Sequence, residues 1–497
     1  MTRERSSDPT RPTGRFMTRR AVLQGAGAAL ATAMYRPARV AAADSPVGLA
    51  MSRLSTHMSE APARPLPAEV IDKAALHVLD TVAAMVSGTE LPPGRVALAF
   101  ARTYNDKVAT IAGSTLLCGP IEAAFVNAML AHADETDDSH APSQSHPGCA
   151  VVPAALAVAE QFGISGSHFL RAIALGYDVG TRVTMTVGVP GFQTETHIST
   201  HALASLFGAA AASAAAARLD AQRMRWLLDY AAQQASGTKA WQRDTEHIEK
   251  AFVFAGVGAR GGVMATELVY LGATGVDDIL SGPDNFLSVY APKADPATLV
   301  ERLGERYEVM RTNIKKWSVG SPIQAPLDAL ELLFKRQTFE ADQVKQVTVR
   351  TATSEAALVD NREMPDICLQ HMMAVMLVDK TASFQAAHDK ARMQDPTILR
   401  HRAKVRLVPD EELERRRPRR EAIVEVALTD GTQLTQRIDA VRGTAENPMS
   451  RDEVVAKGRE LMAPVLGSDR CNRLIEQLLG LEQVKDVRSL RPLLQRG

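Results

Sequence analysis

The chain is poor in aromatic residues, with 13 Phe, 7 Tyr and 3 Trp among 497 positions. With so little aromatic volume, the interior has to be built from Ala, Val and Leu, and the abundance of alanine favours helices. Cysteine is scarce too: Cys118, Cys149, Cys368 and Cys471 lie far apart and form no CxxC. That spacing supports no thiolate metal cage, and it leaves disulfide pairing open only in an oxidising compartment. Net charge is absent, because 57 Lys and Arg balance 57 Asp and Glu. Without a basic field to attract a polyanion, no nucleic-acid partner is expected. The uncharged apolar stretch from Ala21 to Tyr35 falls short of the roughly 20 residues that span a bilayer. No stable membrane insertion is expected.

What is present is an ordinary globular balance, 45% hydrophobic and 23% charged, on a chain long enough for more than one domain. Arg19 and Arg20 precede the apolar stretch, and Ala41 and Ala43 offer a small-residue cleavage pattern. Residues 1–43 therefore read as a twin-arginine signal peptide. The expected partner is the twin-arginine export machinery and the expected location the periplasm, or the cytoplasm if the signal does not function.

From Pro67 to about Met310 apolar residues recur at three- and four-residue spacing, as in PAEVIDKAALHVLDTVAAMVSG and HALASLFGAAAASAAAARL. This predicts a bundle of closely packed helices. After Arg311 the pattern alternates in DQVKQVTVRTAT, AKVRLVP and EAIVEVALTDGTQLTQRI, with Asp430-Gly431 as a hairpin turn. DICLQHMMAVMLVDK between these segments reads as a helix, and Ser450 with Glu453 forms a capping box where the helical pattern returns. The expected fold is mostly α with an α+β insert: a helical domain from residues 47–310 and 447–497, and an α+β lid from 311–446. The basic run RRRPRR at 415–420 reads as a solvated loop.

HADETDDSHAPSQSHPG, residues 132–148, concentrates three His, three Asp and one Glu at the end of an apolar segment. On a helix continuing from Ile121, His132, Glu135, Thr136 and Ser139 fall on one face, and Pro142 and Pro147 then place His140 and His146 on a loop. Three readings are compatible with this pattern. The cluster could be a satisfied hydrogen-bonding network, a divalent metal site without an HExxH or similar pattern to fix its geometry, or an acid–base site.

This stretch followed by CAVVPAALAVAE resembles the signature of the MmgE/PrpD family. GYDVGTRV, the GGVMATELVYLGATGVDDILSGPDNF block, IKKWSVGSPIQAPLDALELL and GTAENPMSRDEVVAK resemble family blocks in the same order. The resemblance implies a homodimer of two-domain subunits whose site lies between helical domain and lid, acting on small polycarboxylates with no metal or organic cofactor. It further implies a cofactor-independent lyase, most simply a dehydratase, that removes a proton alpha to a carboxylate. Epimerisation and decarboxylation are the alternatives, and a periplasmic polycarboxylate-binding protein is the non-enzymatic one.

By the same resemblance, His146 is the leading acid or base, and Glu135 orients or discharges a substrate-side group. One of His197 and His201 faces the substrate. His371 stands where decarboxylase relatives have a lid tyrosine, and Gln324 where they have a histidine. Lys250 and Lys315 bind carboxylates and stabilise an enolate. Asp137 and Asp138 fix the loop, with Asp138 and His140 also expected on the substrate side.

Overall fold

The computed structural model describes residues 47–189 and 191–496; the segment 1–43, expected to be a signal peptide, lies outside the described residues. The elements that position the site are α1 (Ala68–Gly88), α2 (Pro120–Ala131), α3 (Gly148–Phe162), α4 (Gly166–Val187), α5 (Thr200–Ala216) and α6 (Val257–Tyr270), then α7 (Ser321–Arg336), β1 (Val344–Ala352), α8 (Leu369–Asp379), β2 (Val405–Asp410), β3 (Ala422–Leu428), β4 (Gln433–Ile438) and α9 (Arg451–Leu466). The molecule is mostly helical with one four-stranded sheet, as its periodicity predicts.

Alanine-rich faces let the helices approach closely. α4 runs along α5, and a Cβ on Gly180 would collide with the Ala204 carbonyl, so the crossing requires the missing side chain. One buried apolar cluster runs from Met51 to Ile314 and resumes from Val454 to Leu494; a second runs from Trp317 to Val441. The chain thus leaves the helical core near Ile314 and re-enters it through α9. The capping box opens α9, with Glu453 N donating to Ser450 Oγ at 3.2 Å and Ser450 N donating to Glu453 Oε2 at 2.7 Å.

In the sheet the order is β2-β1-β3-β4. β2 is parallel to β1, reached by way of α8, and β3 is antiparallel to both β1 and β4. Register brings Val349 opposite Leu407 on one side and Val424 on the other. The β3–β4 turn places Gly431 at φ 95°, a conformation glycine adopts without steric cost.

One expectation is corrected. α2 ends at Ala131, so His132 to Ser139 are not helical. Asp134 competes for the local backbone: its Oδ1 accepts from Thr136 N at 3.0 Å and its other oxygen from the Thr136 hydroxyl. Other segments then take up the freed groups. Lys315 Nζ donates to the Glu135 carbonyl at 2.8 Å and Lys457 Nζ to the Thr136 carbonyl at 2.9 Å. Ser139 exchanges two backbone hydrogen bonds with Asn313, at 2.8 and 3.0 Å.

Candidate active site

The 132–148 segment folds into a hub whose carboxylates each hold a different set of partners. Asp137 is completely buried. Its Oδ2 lies 2.8 Å from His132 Nδ1, and its Oδ1 lies 3.1 Å from His146 Nδ1 and 3.7 Å from Lys315 Nζ. With Nδ1 engaged by the carboxylate, His146 keeps Nε2 as the nitrogen that reaches the cavity. Burial holds the His146 imidazole below its ordinary value of 6.5, with Asp137 pulling it upward. The imidazole is therefore neutral at pH 7 and able to accept a proton.

Glu135 is gripped by two cations. Lys250 Nζ contacts Oε1, and Lys315 Nζ lies 3.4 Å from Oε2. Burial alone would raise this carboxyl, but Lys250 and Lys315 hold it well below the usual carboxylate range. Lys315 is itself 3% exposed, and burial would strip its proton; Glu135 and Asp137 reverse that and raise it. Glu135, His146, His201, Trp241, Asp244, Lys250 and Phe254 line one side of a cavity of about 150 Å³. Gly320, Ser321, Val359, Arg362, Ile367 and Arg420 line the other.

A wide helical turn at Phe252–Gly256, immediately before α6, supports the imidazoles. From it Phe254 stacks on His201 at 3.7 Å and on His132 at 4.7 Å between ring centroids. His201 lies 5.2 Å from His146. Burial, reinforced by His146 and Lys250, pushes His201 well below its ordinary value. Of the two histidines in THISTH, His201 is thus at the cavity. His197 is exposed at φ 59°, and among the described residues only its carbonyl is engaged, by Lys239 N.

Besides His197, and Lys315 paired with Glu135, four expected site residues do not line the cavity. His371 is fully buried in α8 with neither ring nitrogen hydrogen-bonded. Burial and then Arg402 and Arg392 lower it to about 4, and none of these groups borders the cavity. Gln324 clamps the loop before α7: its Nε2 donates to the Trp317 and Val319 carbonyls at 2.7 and 2.9 Å, and its Oε1 accepts from Trp317 N at 3.1 Å. Both its amide hydrogens are committed to the backbone. His140 is enclosed between Ser143 Oγ at 2.8 Å and Glu308 Oε2 at 3.3 Å. Asp138 accepts from Tyr177 O–H at 2.5 Å and Gly148 N at 3.0 Å, and its Oδ2 lies 2.8 Å from His77 Nδ1. These bonds fix the loop, and Asp138 does not line the cavity. Removing it leaves three buried polar groups unpaired, so Asp138→Ala is expected to cost about 3–5 kcal/mol of unfolding free energy, read from the urea midpoint.

Spacing could not reveal several participants. His247 lies 5.1 Å from His132. Lys457 Nζ, from α9, bonds Asp80 at 2.6 Å and steadies the loop. Arg420 belongs to the run expected to be a solvated loop, yet it borders the cavity. His388 Nε2 lies 2.9 Å from Asp134 Oδ2, tying the segment that follows α8 to the 132–148 loop. Burial opposes its charge, but Asp134 wins and raises it to about 9. Because the folded value exceeds the ordinary 6.5, this pair contributes fully below about pH 6.5 and fades as pH rises through 9. His388→Asn should lower stability at pH 6 by on the order of 2 kcal/mol and have little effect at pH 10, in paired denaturation curves.

His132, Asp137 and Cys149 bring ligand atoms within 4.8 Å of one another. Burial and then Asp137 and Asp138 push the Cys149 thiol well above its ordinary value, and Sγ donates to the His146 carbonyl at 3.0 Å. A thiol held protonated is a poor ligand, and the trio fits a hydrogen-bonded network better than a cation cage.

Comparison with known proteins agrees with this architecture. The chain is 23% identical over 463 residues to cis-aconitate decarboxylase of Aspergillus terreus, covering 86% of this chain and 92% of that protein. It is 24% identical over 453 residues to the cis-aconitate decarboxylase of Homo sapiens, covering 86% and 90%. For the Mus musculus enzyme of that name the identity is 25% over 402 residues, covering 76% and 78%. Residues 52–299 match the MmgE/PrpD N-terminal domain and residues 317–482 the MmgE/PrpD C-terminal domain. With both halves matched in order, the chain belongs to the MmgE/PrpD family.

Proposed function

We propose that this protein is a lyase that acts on a small polycarboxylate by removing a proton alpha to a carboxylate, with dehydration as the outcome. The observation that carries the reading is His146 at the wall of a cavity that also holds Glu135 and Lys250, backed by the Asp137 carboxylate it shares with His132, with Lys315 3.7 Å from that carboxylate. His146 Nε2 takes the alpha proton, and Asp137 stabilises the imidazolium that forms. The C–H electron pair moves into the substrate carboxylate, and Lys315 and Lys250 stabilise the dianionic enolate. The pair then returns to form a carbon–carbon double bond as the beta hydroxyl leaves, protonated to water by a neighbouring acid.

Epimerisation would follow from the same intermediate if a proton came back on the other face. Decarboxylation is favoured by a separate observation, the cis-aconitate decarboxylase relatives. In that reading the electron pair comes from loss of carbon dioxide, and the carbon takes its proton from His146 after solvent has protonated that imidazole.

Hydrogen–deuterium exchange by NMR, with citrate-like, aconitate-like and amino-dicarboxylate compounds, tests the reading. Exchange at the alpha carbon, with elimination of water from one of them, is expected; saturable binding with neither exchange nor turnover would point to a binding protein. Activity is expected to persist after exhaustive chelation. Loss that a single divalent metal restores would overturn the metal-free mechanism.

A further inference from the structure

The cavity has a second cationic pole, contributed by the lid. On the helical-domain side the charge of Lys250 already faces Glu135, so a substrate carboxylate there must share the ammonium groups with a resident anion. The lid side differs. Arg362 lines the cavity and gives one N–H to the Gln242 carbonyl at 3.2 Å. Among the described residues no carboxylate is within ion-pairing distance of it. Arg420 lines the same wall; its Nη1 bonds Glu355 Oε1 at 2.7 Å, and its side chain keeps 26% of its exposure. Glu355 is 2% exposed and anchors Arg420 from behind the wall. Between them Gly320, Ser321 and Pro322 present the N-terminus of the 16-residue α7, whose dipole also favours an anion.

We infer that Arg362, Arg420 and the start of α7 form a subsite for a second carboxylate of the substrate, remote from the carbon that reacts. The inference rests on the proposed polycarboxylate chemistry and sharpens it, since the ligand must carry at least two carboxylates, one for each wall. Guanidinium groups suit this task because their forked N–H donors match a carboxylate, whereas the lysines serve the centre where charge develops. Arg362 and Arg420 are binding residues in this scheme and determine specificity.

The test is calorimetric titration of the full chain with tricarballylate, citrate and cis-aconitate, and with butyrate as a monocarboxylate control. Arg362→Gln is the first variant, since that side chain has only a backbone carbonyl as partner. Arg420→Gln combined with Glu355→Gln is the second, so that no buried carboxylate is stranded. Each variant should bind the tricarboxylates tenfold to a hundredfold more weakly, the range for one charge-assisted contact, with butyrate unchanged. With a turned-over substrate the loss should appear in KM, with kcat within a few-fold of wild type. Wild-type binding that both variants match within twofold overturns the subsite and leaves the proposed reaction standing. No binding of any polycarboxylate by the wild type overturns both.

Discussion

Replacing His146 by alanine is expected to lower kcat by about 10²- to 10⁴-fold, the range for a positioned general base. The fold should survive, because the ring is 7% exposed at the cavity wall and its one side-chain partner, Asp137, keeps His132. Steady-state rates with the substrate found by exchange, together with an unchanged circular dichroism spectrum, check this; near-normal turnover would remove His146 from the mechanism. The pH dependence adds a signed expectation. The base must be neutral to act, and burial holds His146 below 6.5. The acid limb of kcat/KM should therefore have its midpoint below 6.5, with activity rising as pH increases. Asp137→Asn removes the charge that pulls the imidazole upward, so in this variant the limb should move to still lower pH while the maximal rate falls.

Lys315→Ala should cost about 10²- to 10³-fold in kcat, the scale of one preorganised group at a developing charge. The ammonium touches both the Glu135 carbonyl and the Asp137 carboxylate. It is 3% exposed, where an electrostatic contact is worth far more than in water. Because charge grows on the substrate as the proton leaves, the effect should fall mainly on kcat, in contrast to the KM effect expected at Arg362. A Lys315→Ala enzyme impaired only in KM would assign the residue to uniform substrate binding.

Both the fold and part of the site were legible in the sequence, for different reasons. Periodicity switches from helical to alternating near Arg311, and buried helices and strands must show those periods; the four strands and α8 accordingly lie where the pattern placed them. His146 and Glu135 stand in a visible concentration of titratable residues, whereas Lys250 and Lys315 were legible only through the family resemblance; Glu135, His146 and Lys250 line one cavity and Lys315 pairs with Glu135 behind it. The helix through Ser139 failed because a propensity argument could not see the Asx-type turn at Asp134 or the lysines that bond the loop's carbonyls. His371 and Gln324 failed for another reason: position along α7 or α8 does not say whether a side chain faces cavity or core. Arg362, Arg420 and His388 left no local signal. An isolated charge reads as solvated until tertiary contacts bring it to a wall.

Lys457 ties the two ends of the coding order together. It arrives with the closing stretch of polypeptide, yet it neutralises Asp80 and secures the carbonyl next to Glu135. During synthesis α9 must therefore emerge from the ribosome before the loop beside Glu135 gains this support. Fragments ending ahead of Arg451 would hold an unset loop over an uncompensated Asp80, whereas a separately supplied tail peptide could complete them.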